Sequence, residues 1–147
     1  IYLFMNLAFF ACILMLRRDN KYFENIEDLS GLSKHHPVLS FSFLIVLFSL
    51  AGIPPLAGFF AKFYIFTAVL EQSMYFLAIT GLLSTVIAAY YYLRLIKIIY
   101  FDSEKEKYET NHNIGLKISL LISSIFILFY FIYPSWLTEI IENIIVI

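Results

Sequence analysis

Charge is the scarcest feature of this sequence. Asp, Glu, Lys and Arg make up 14% of its 147 residues, where a soluble domain carries about 25%. So few charges cannot cover a water-exposed surface. A net charge of −1 offers nothing to a nucleic-acid backbone. The single cysteine, Cys12, excludes an internal disulfide; set in an apolar run, it reads as a small buried hydrophobe. The sequence also lacks metal-ligand spacings, a glycine-rich phosphate loop and a nucleophile–base constellation, so neither a metal nor a cofactor site is expected in this chain. No basic region precedes the apolar run at Ile1 and no small-residue cleavage site follows it, which argues against a signal peptide. The abrupt start suggests a fragment, a processed product or one piece of a split protein. There is no internal repeat and no low-complexity linker.

What is present is hydrophobic. Apolar residues reach 61%, including 16 Phe and 11 Tyr, and Tyr suits the membrane–water boundary. Four apolar stretches stand out: Ile1–Leu16, Pro37–Leu70, Met74–Leu93 and Ile114–Tyr133. A spanning helix needs about 20 apolar residues. These stretches predict an all-α membrane protein with four transmembrane helices, over residues 1–16, 37–70, 74–100 and 114–133, forming one transmembrane region. The first is short. The second, at about 1.5 Å per residue, would run roughly 50 Å against a hydrocarbon core of about 30 Å. It also lacks the polar turn that would divide it into two spans. We therefore expect a single discontinuous span, broken at Gly52-Ile53-Pro54-Pro55. Consecutive prolines remove two backbone donors, and Gly52 accepts the unusual dihedrals that result.

The connectors Arg17–His36 and Phe101–Asn113 hold most of the charges. In the first, Ile26, Leu29 and Leu32 recur every third residue, a pattern that suits either a short interfacial helix or an ordered loop. Residues 134–147, with Trp136 behind Tyr133 and Glu139 and Glu142 on one face, predict an interfacial tail. Nine of the ten Lys and Arg lie on the side of the two long connectors, which places those connectors inside, in cytoplasm or matrix, and the C-terminus outside.

The tenth cation is Lys62. It lies about 12 Å along a helix from the end of its span, beyond easy snorkelling. A buried ammonium costs roughly 2.5–3.5 kcal/mol on insertion scales, so such residues face a bundle interior or a watery cavity. Desolvation favours the neutral amine, and a lysine whose charge a neighbour or a water can toggle is a proton carrier. The nearby break strengthens this reading, because unwound backbone at depth needs protein or water to satisfy it. The alternative is a structural lysine paired with another subunit's carboxylate. Elsewhere, Gly81, Thr85 and Ala89 suit close helix packing. Tyr90-Tyr91-Tyr92 with Arg94 reads as an interfacial belt, His35 and His36 as loop histidines, Glu71 as a surface charge, and Asn6 as a donor across helices.

These residues carry a resemblance. The stretch Ser49-Leu50-Ala51-Gly52-Ile53-Pro54-Pro55-Leu56-Ala57-Gly58-Phe59-Phe60-Ala61-Lys62-Phe63 resembles the broken-helix segment of the antiporter-like subunits of respiratory complex I, most closely the NADH dehydrogenase subunit 2 family. Asp28-Leu29-Ser30-Gly31-Leu32 before Pro37, and Ser84 through Tyr90-Tyr91-Tyr92-Leu93-Arg94, are similar to the flanking segments. The likeness covers roughly residues 1–100, with Ala61 standing where many members have glycine.

The resemblance implies a C-terminal piece of a larger antiporter-like helix bundle, the last four of about fourteen spans, in the mitochondrial inner membrane. The long connectors would face the matrix and the C-terminus the intermembrane space. It implies proton translocation coupled to electron transfer from NADH to ubiquinone, with Lys62 transferring the proton. The family's other charged residues lie in earlier spans, so this chain cannot hold a whole proton path. NADH, FMN, iron–sulfur clusters and ubiquinone would be bound by other subunits. The implied partners are a separate N-terminal part of subunit 2, neighbouring antiporter-like and small membrane subunits, and lipids. A subunit of a multi-subunit cation/proton antiporter, or a purely structural membrane subunit, remains open.

Overall fold

A computed structural model describes residues 1–18, 21–22, 25–103, 109–110, 113–135, 139–140 and 143. Five helices dominate: α1 (Tyr2–Met15), α3 (Pro37–Ala51), α4 (Ala57–Glu71), α5 (Tyr75–Phe101) and α6 (Ile114–Phe129). A one-turn helix, α2 (Leu32–His35), precedes α3. Their ends follow local chemistry. Pro37 opens α3, where its missing N–H is harmless. The Asn113 side chain accepts from Gly115 N at 2.9 Å and caps α6. Two helical segments, Tyr75–Phe101 and Ile114–Ile132, are long and apolar enough to cross a membrane; Tyr2–Met15 and Pro37–Ala51 are apolar but shorter.

α1 packs along α6, and α3 lies against α1, α5 and α6. Their shared core is close-packed around Ala8, Cys12, Phe43, Val46, Leu47, Ile99 and Ile127, all buried. The Phe4 and Phe126 rings stack at 4.3 Å across the α1–α6 seam. Outward faces are equally apolar: Phe76 is 82% exposed and Tyr90 71%. Apolar surface of this extent belongs against lipid or further protein.

The described parts of the connectors form short regular elements. β1 (Leu16–Arg18) pairs antiparallel with β2 (Lys21–Tyr22) and with β3 (Glu109–Thr110), in the order β2-β1-β3. This small sheet is confined to the connectors of an otherwise all-helical bundle. Strands of two or three residues leave no periodicity, and β1 meets β3 because the end of α1 lies beside the start of α6. In the first connector a 3-10 turn, Ile26–Leu29, is followed by α2. Asn25 N donates to Asp28 Oδ2 at 3.1 Å to start the turn. Gly31, at φ 71°, then redirects the chain and donates its N–H to Ile98 O on α5. Leu32 is thereby buried and Ile26 left exposed. Most of the tail, including Trp136 and Glu142, lies outside the described residues.

Candidate functional site: a lysine at an interrupted helix

An α-helix ends with four carbonyls that have no intrahelical donor. At the end of α3 each of them can be followed to a partner. Gly52, at φ 87°, leaves the helix in the left-handed region. Its N–H donates to Phe48 O (3.1 Å) and Ser49 O (3.0 Å), and Ile53 N donates to Phe48 O at 3.0 Å. This is the glycine-terminated Schellman arrangement. It leaves Leu50 O and Ala51 O. In a continuous helix their donors would be the N–H groups of residues 54 and 55. Both positions are proline and have no N–H.

Lys62 fills the gap. Its Nζ donates to Leu50 O and to Ala51 O, each at 3.0 Å. The side chain starts more than one turn into α4 and reaches back across the break. Its partners are neutral oxygens at the negative end of the α3 dipole. Gly52 makes the approach possible: a Cβ there would lie 3.0 Å from Lys62 Cδ and 3.1 Å from Nζ. The glycine thus serves both the positive φ and the lysine's path.

The start of α4 is held equally closely. Leu56, at its N-cap, has no capping side chain. The Ser49 hydroxyl, from α3, accepts from Gly58 N at 3.0 Å and lies 3.0 Å from Met5 Sδ on α1, to which it donates. Gly58 sits so near α3 that a Cβ would collide with the Ser49 carbonyl. The Pro54–Pro55 bond is cis, and both prolines are exposed at the turn.

Lys62 also lines a cavity of about 340 Å³ between α1, α3, α4 and α5, with Tyr2, Ser84, Thr85 and Tyr92 on its walls. Ser84 and Thr85 donate their hydroxyl protons to Gly81 O and Leu82 O, both at 2.7 Å. Their oxygen lone pairs remain to accept from water or from an ammonium. The walls are otherwise mostly apolar, so these hydroxyls and the amine are its polar points. Thr85, read for close packing, lines this space and bonds its own helix backbone. Tyr92 faces inward, half-buried, while Tyr90 and Tyr91 are exposed.

The other residues singled out in the sequence do not join this site. Asn6 donates to Tyr2 O at 3.0 Å within α1, not across helices. His35 and His36 lie with Lys117 at one end of a groove between α3 and α6. Glu71 is exposed at the far end of α4. No group of three or more His, Cys, Asp or Glu suited to a metal occurs among the described residues. Ser49 and Gly58 were not singled out in the sequence. Their contacts join residues 9 and 44 positions apart, and only the serine–glycine close approach in the folded state reveals them.

A helical, apolar bundle in which two half-helices meet around an amine has the architecture of membrane proteins built on interrupted helices. The chain belongs to the NADH:quinone oxidoreductase/Mrp antiporter transmembrane family, whose model matches residues 1–88. Its relatives include the NADH-quinone oxidoreductase subunit N of Pelagibacter ubique, 72% identical over 98% of this chain, and that of Methylobacterium nodulans, 51% identical over 92%. The chain spans 31% and 28% of the length of these two proteins. A chain of the respiratory complex I from Thermus thermophilus with bound aureothin shares the fold, with a TM-score of 0.69 over 90% of this chain and 32% of that one, at 24% identity. The relatives are bacterial, so they give no support to a mitochondrial inner membrane.

Proposed function

We propose that this chain is the C-terminal part of the antiporter-like subunit of a bacterial membrane-bound NADH:quinone oxidoreductase, and that Lys62 is an intramembrane proton carrier within it. In this reading α1, the α3–α4 pair, α5 and α6 each cross the membrane, with the long connectors on the cytoplasmic side. One observation carries the assignment of Lys62. Its amine occupies the two carbonyls of α3 that Pro54 and Pro55 leave without donors. A charged lysine is held there by the oxygens and the helix dipole; a neutral one keeps at most a weak claim on them. Gain and loss of the proton would move the amine between the carbonyls and the cavity lined by Ser84, Thr85 and Tyr92. Water in that cavity would connect it onwards. Redox chemistry would belong to other subunits of the enzyme, where NADH, flavin, iron–sulfur clusters and quinone bind.

The test is NADH-driven proton uptake into inverted membrane vesicles. Lys62→Met should assemble at normal levels and slow uptake several-fold. Lys62→Arg should not restore it, because a guanidinium stays charged. Wild-type uptake by both variants would remove Lys62 from the mechanism. Sodium/proton exchange that persists in membranes stripped of NADH-oxidising partners would instead favour a stand-alone cation/proton antiporter.

A further inference from the structure

We infer that Ser49 is the positioning residue that sets Lys62 on its two carbonyls, by locking the register between the half-helices α3 and α4. The inference rests on the proton-carrying reading of Lys62 given above.

Ser49 is fully buried where three helices meet. Its hydroxyl donates to Met5 Sδ on α1 and accepts from Gly58 N on α4, both at 3.0 Å. It therefore does for α4 what no residue of α4 does for itself. The N-cap is Leu56, without a capping side chain, and a free N–H in an apolar surrounding is costly. The cap comes from another helix, so it fixes the position of α4 relative to α3 as well as satisfying a donor.

The geometry then leads to the amine. Gly58 and Lys62 are four residues apart and lie on the same face of α4. Ser49 immediately precedes Leu50 and Ala51, whose carbonyls receive the Lys62 Nζ. One bond between Ser49 and Gly58 thus sets the distance between the base of the lysine and its acceptors, one turn away. The bareness of Gly58 allows the approach: with any Cβ there, α4 would be pushed off the Ser49 carbonyl. The Met5 sulfur accepts only weakly, so the serine–glycine bond carries the function and the thioether takes up the remaining proton.

The experiment uses the assembled enzyme in inverted vesicles, with proton uptake normalised to the amount of complex. Ser49→Ala keeps the volume nearly unchanged but removes the acceptor for Gly58 N. Loss of one such bond corresponds to a fall in uptake rate of about fivefold. Ser49→Cys retains a weak acceptor of similar shape and should fall between Ala and wild type. Met5→Leu keeps the serine–glycine bond and should pump normally. In a Lys62→Met background, Ser49→Ala should cause no further fall, since both act on one device. Should Ser49→Ala fail to accumulate, Ser49→Cys carries the same comparison. Normal uptake in Ser49→Ala overturns the inference. So does a loss that Ser49→Cys leaves equally deep and that adds to Lys62→Met, which would mark a packing role alone. If Lys62→Met pumps normally while Ser49→Ala does not, the fault lies instead with the reading of Lys62.

Discussion

Gly52 offers the sharpest perturbation, because one methyl group disturbs the site in two separable ways. In Gly52→Ala the residue must hold φ 87°, a left-handed conformation that costs an L-residue roughly 1–2 kcal/mol. The new Cβ would also stand 3.0 Å from Lys62 Cδ and 3.1 Å from Nζ, where unstrained carbon contacts lie at about 3.5–4.0 Å. The lysine must withdraw by roughly half an ångström or more. From 3.0 Å to each oxygen, that retreat reaches about 3.5 Å, where a hydrogen bond no longer counts as one. Bonds to charged groups are worth about 1.5–3 kcal/mol. The lysine is only half-buried, so the lower figure applies; losing one bond would give about a tenfold loss of NADH-driven proton uptake, and losing both about a hundredfold. The assay is quenching of a pH-sensitive dye in inverted vesicles, normalised to assembled enzyme, with thermal inactivation measured in parallel. Gly81→Ala is the control: it lies in regular helix on α5 and meets only the Phe66 ring, at 3.0 Å, which can turn aside. Gly52→Ala should lose pumping beyond its loss of stability, and Gly81→Ala should lose little of either. Full pumping by Gly52→Ala would refute the claim that the lysine needs the space above this glycine.

Other consequences follow from the same packing. Gly58→Ala places a methyl against the Ser49 backbone, so α3 and α4 cannot dock; the amount of assembled protein in the membrane should fall severely, as an immunoblot of native gels would read. Phe43, almost wholly buried at the centre of the bundle, should cost about 3–5 kcal/mol when replaced by alanine, seen as faster thermal inactivation without a change in proton uptake per enzyme at low temperature. Cys12 has no exposed surface, so a water-soluble maleimide should label it only after denaturation; rapid labelling of the native protein would contradict the α1–α6 packing.

The parts of this molecule that a sequence can display are those whose cause is local. The prolines at 54 and 55, the glycine before them and the isolated Lys62 are each chemically odd at their own positions, and the family follows from the motif that contains them. The meeting of Lys62 with Leu50 O and Ala51 O is one step further removed. It needs the turn to bring a residue 11 or 12 positions on back over the helix end. The Ser49–Gly58–Met5 node is further still, since a serine in an apolar helix ordinarily satisfies itself on its own backbone, as Ser42 does on Val38 O at 3.1 Å. The small sheet was hidden for a different reason: strands of two and three residues are specified by where helices end, not by their own composition. The repeat of Ile26, Leu29 and Leu32 left a short helix and an ordered loop both open, because a three-residue spacing fits a 3-10 turn as well as an α-helix; the turn ends before Gly31, which then caps α2.

The most direct measurement is a density map of the complete enzyme in lipid, fine enough to place water. It should show the Lys62 amine within hydrogen-bonding distance of the Leu50 and Ala51 oxygens, with ordered water reaching it from the side of Ser84, Thr85 and Tyr92. An amine turned to lipid, or another donor occupying those two oxygens, would contradict the account.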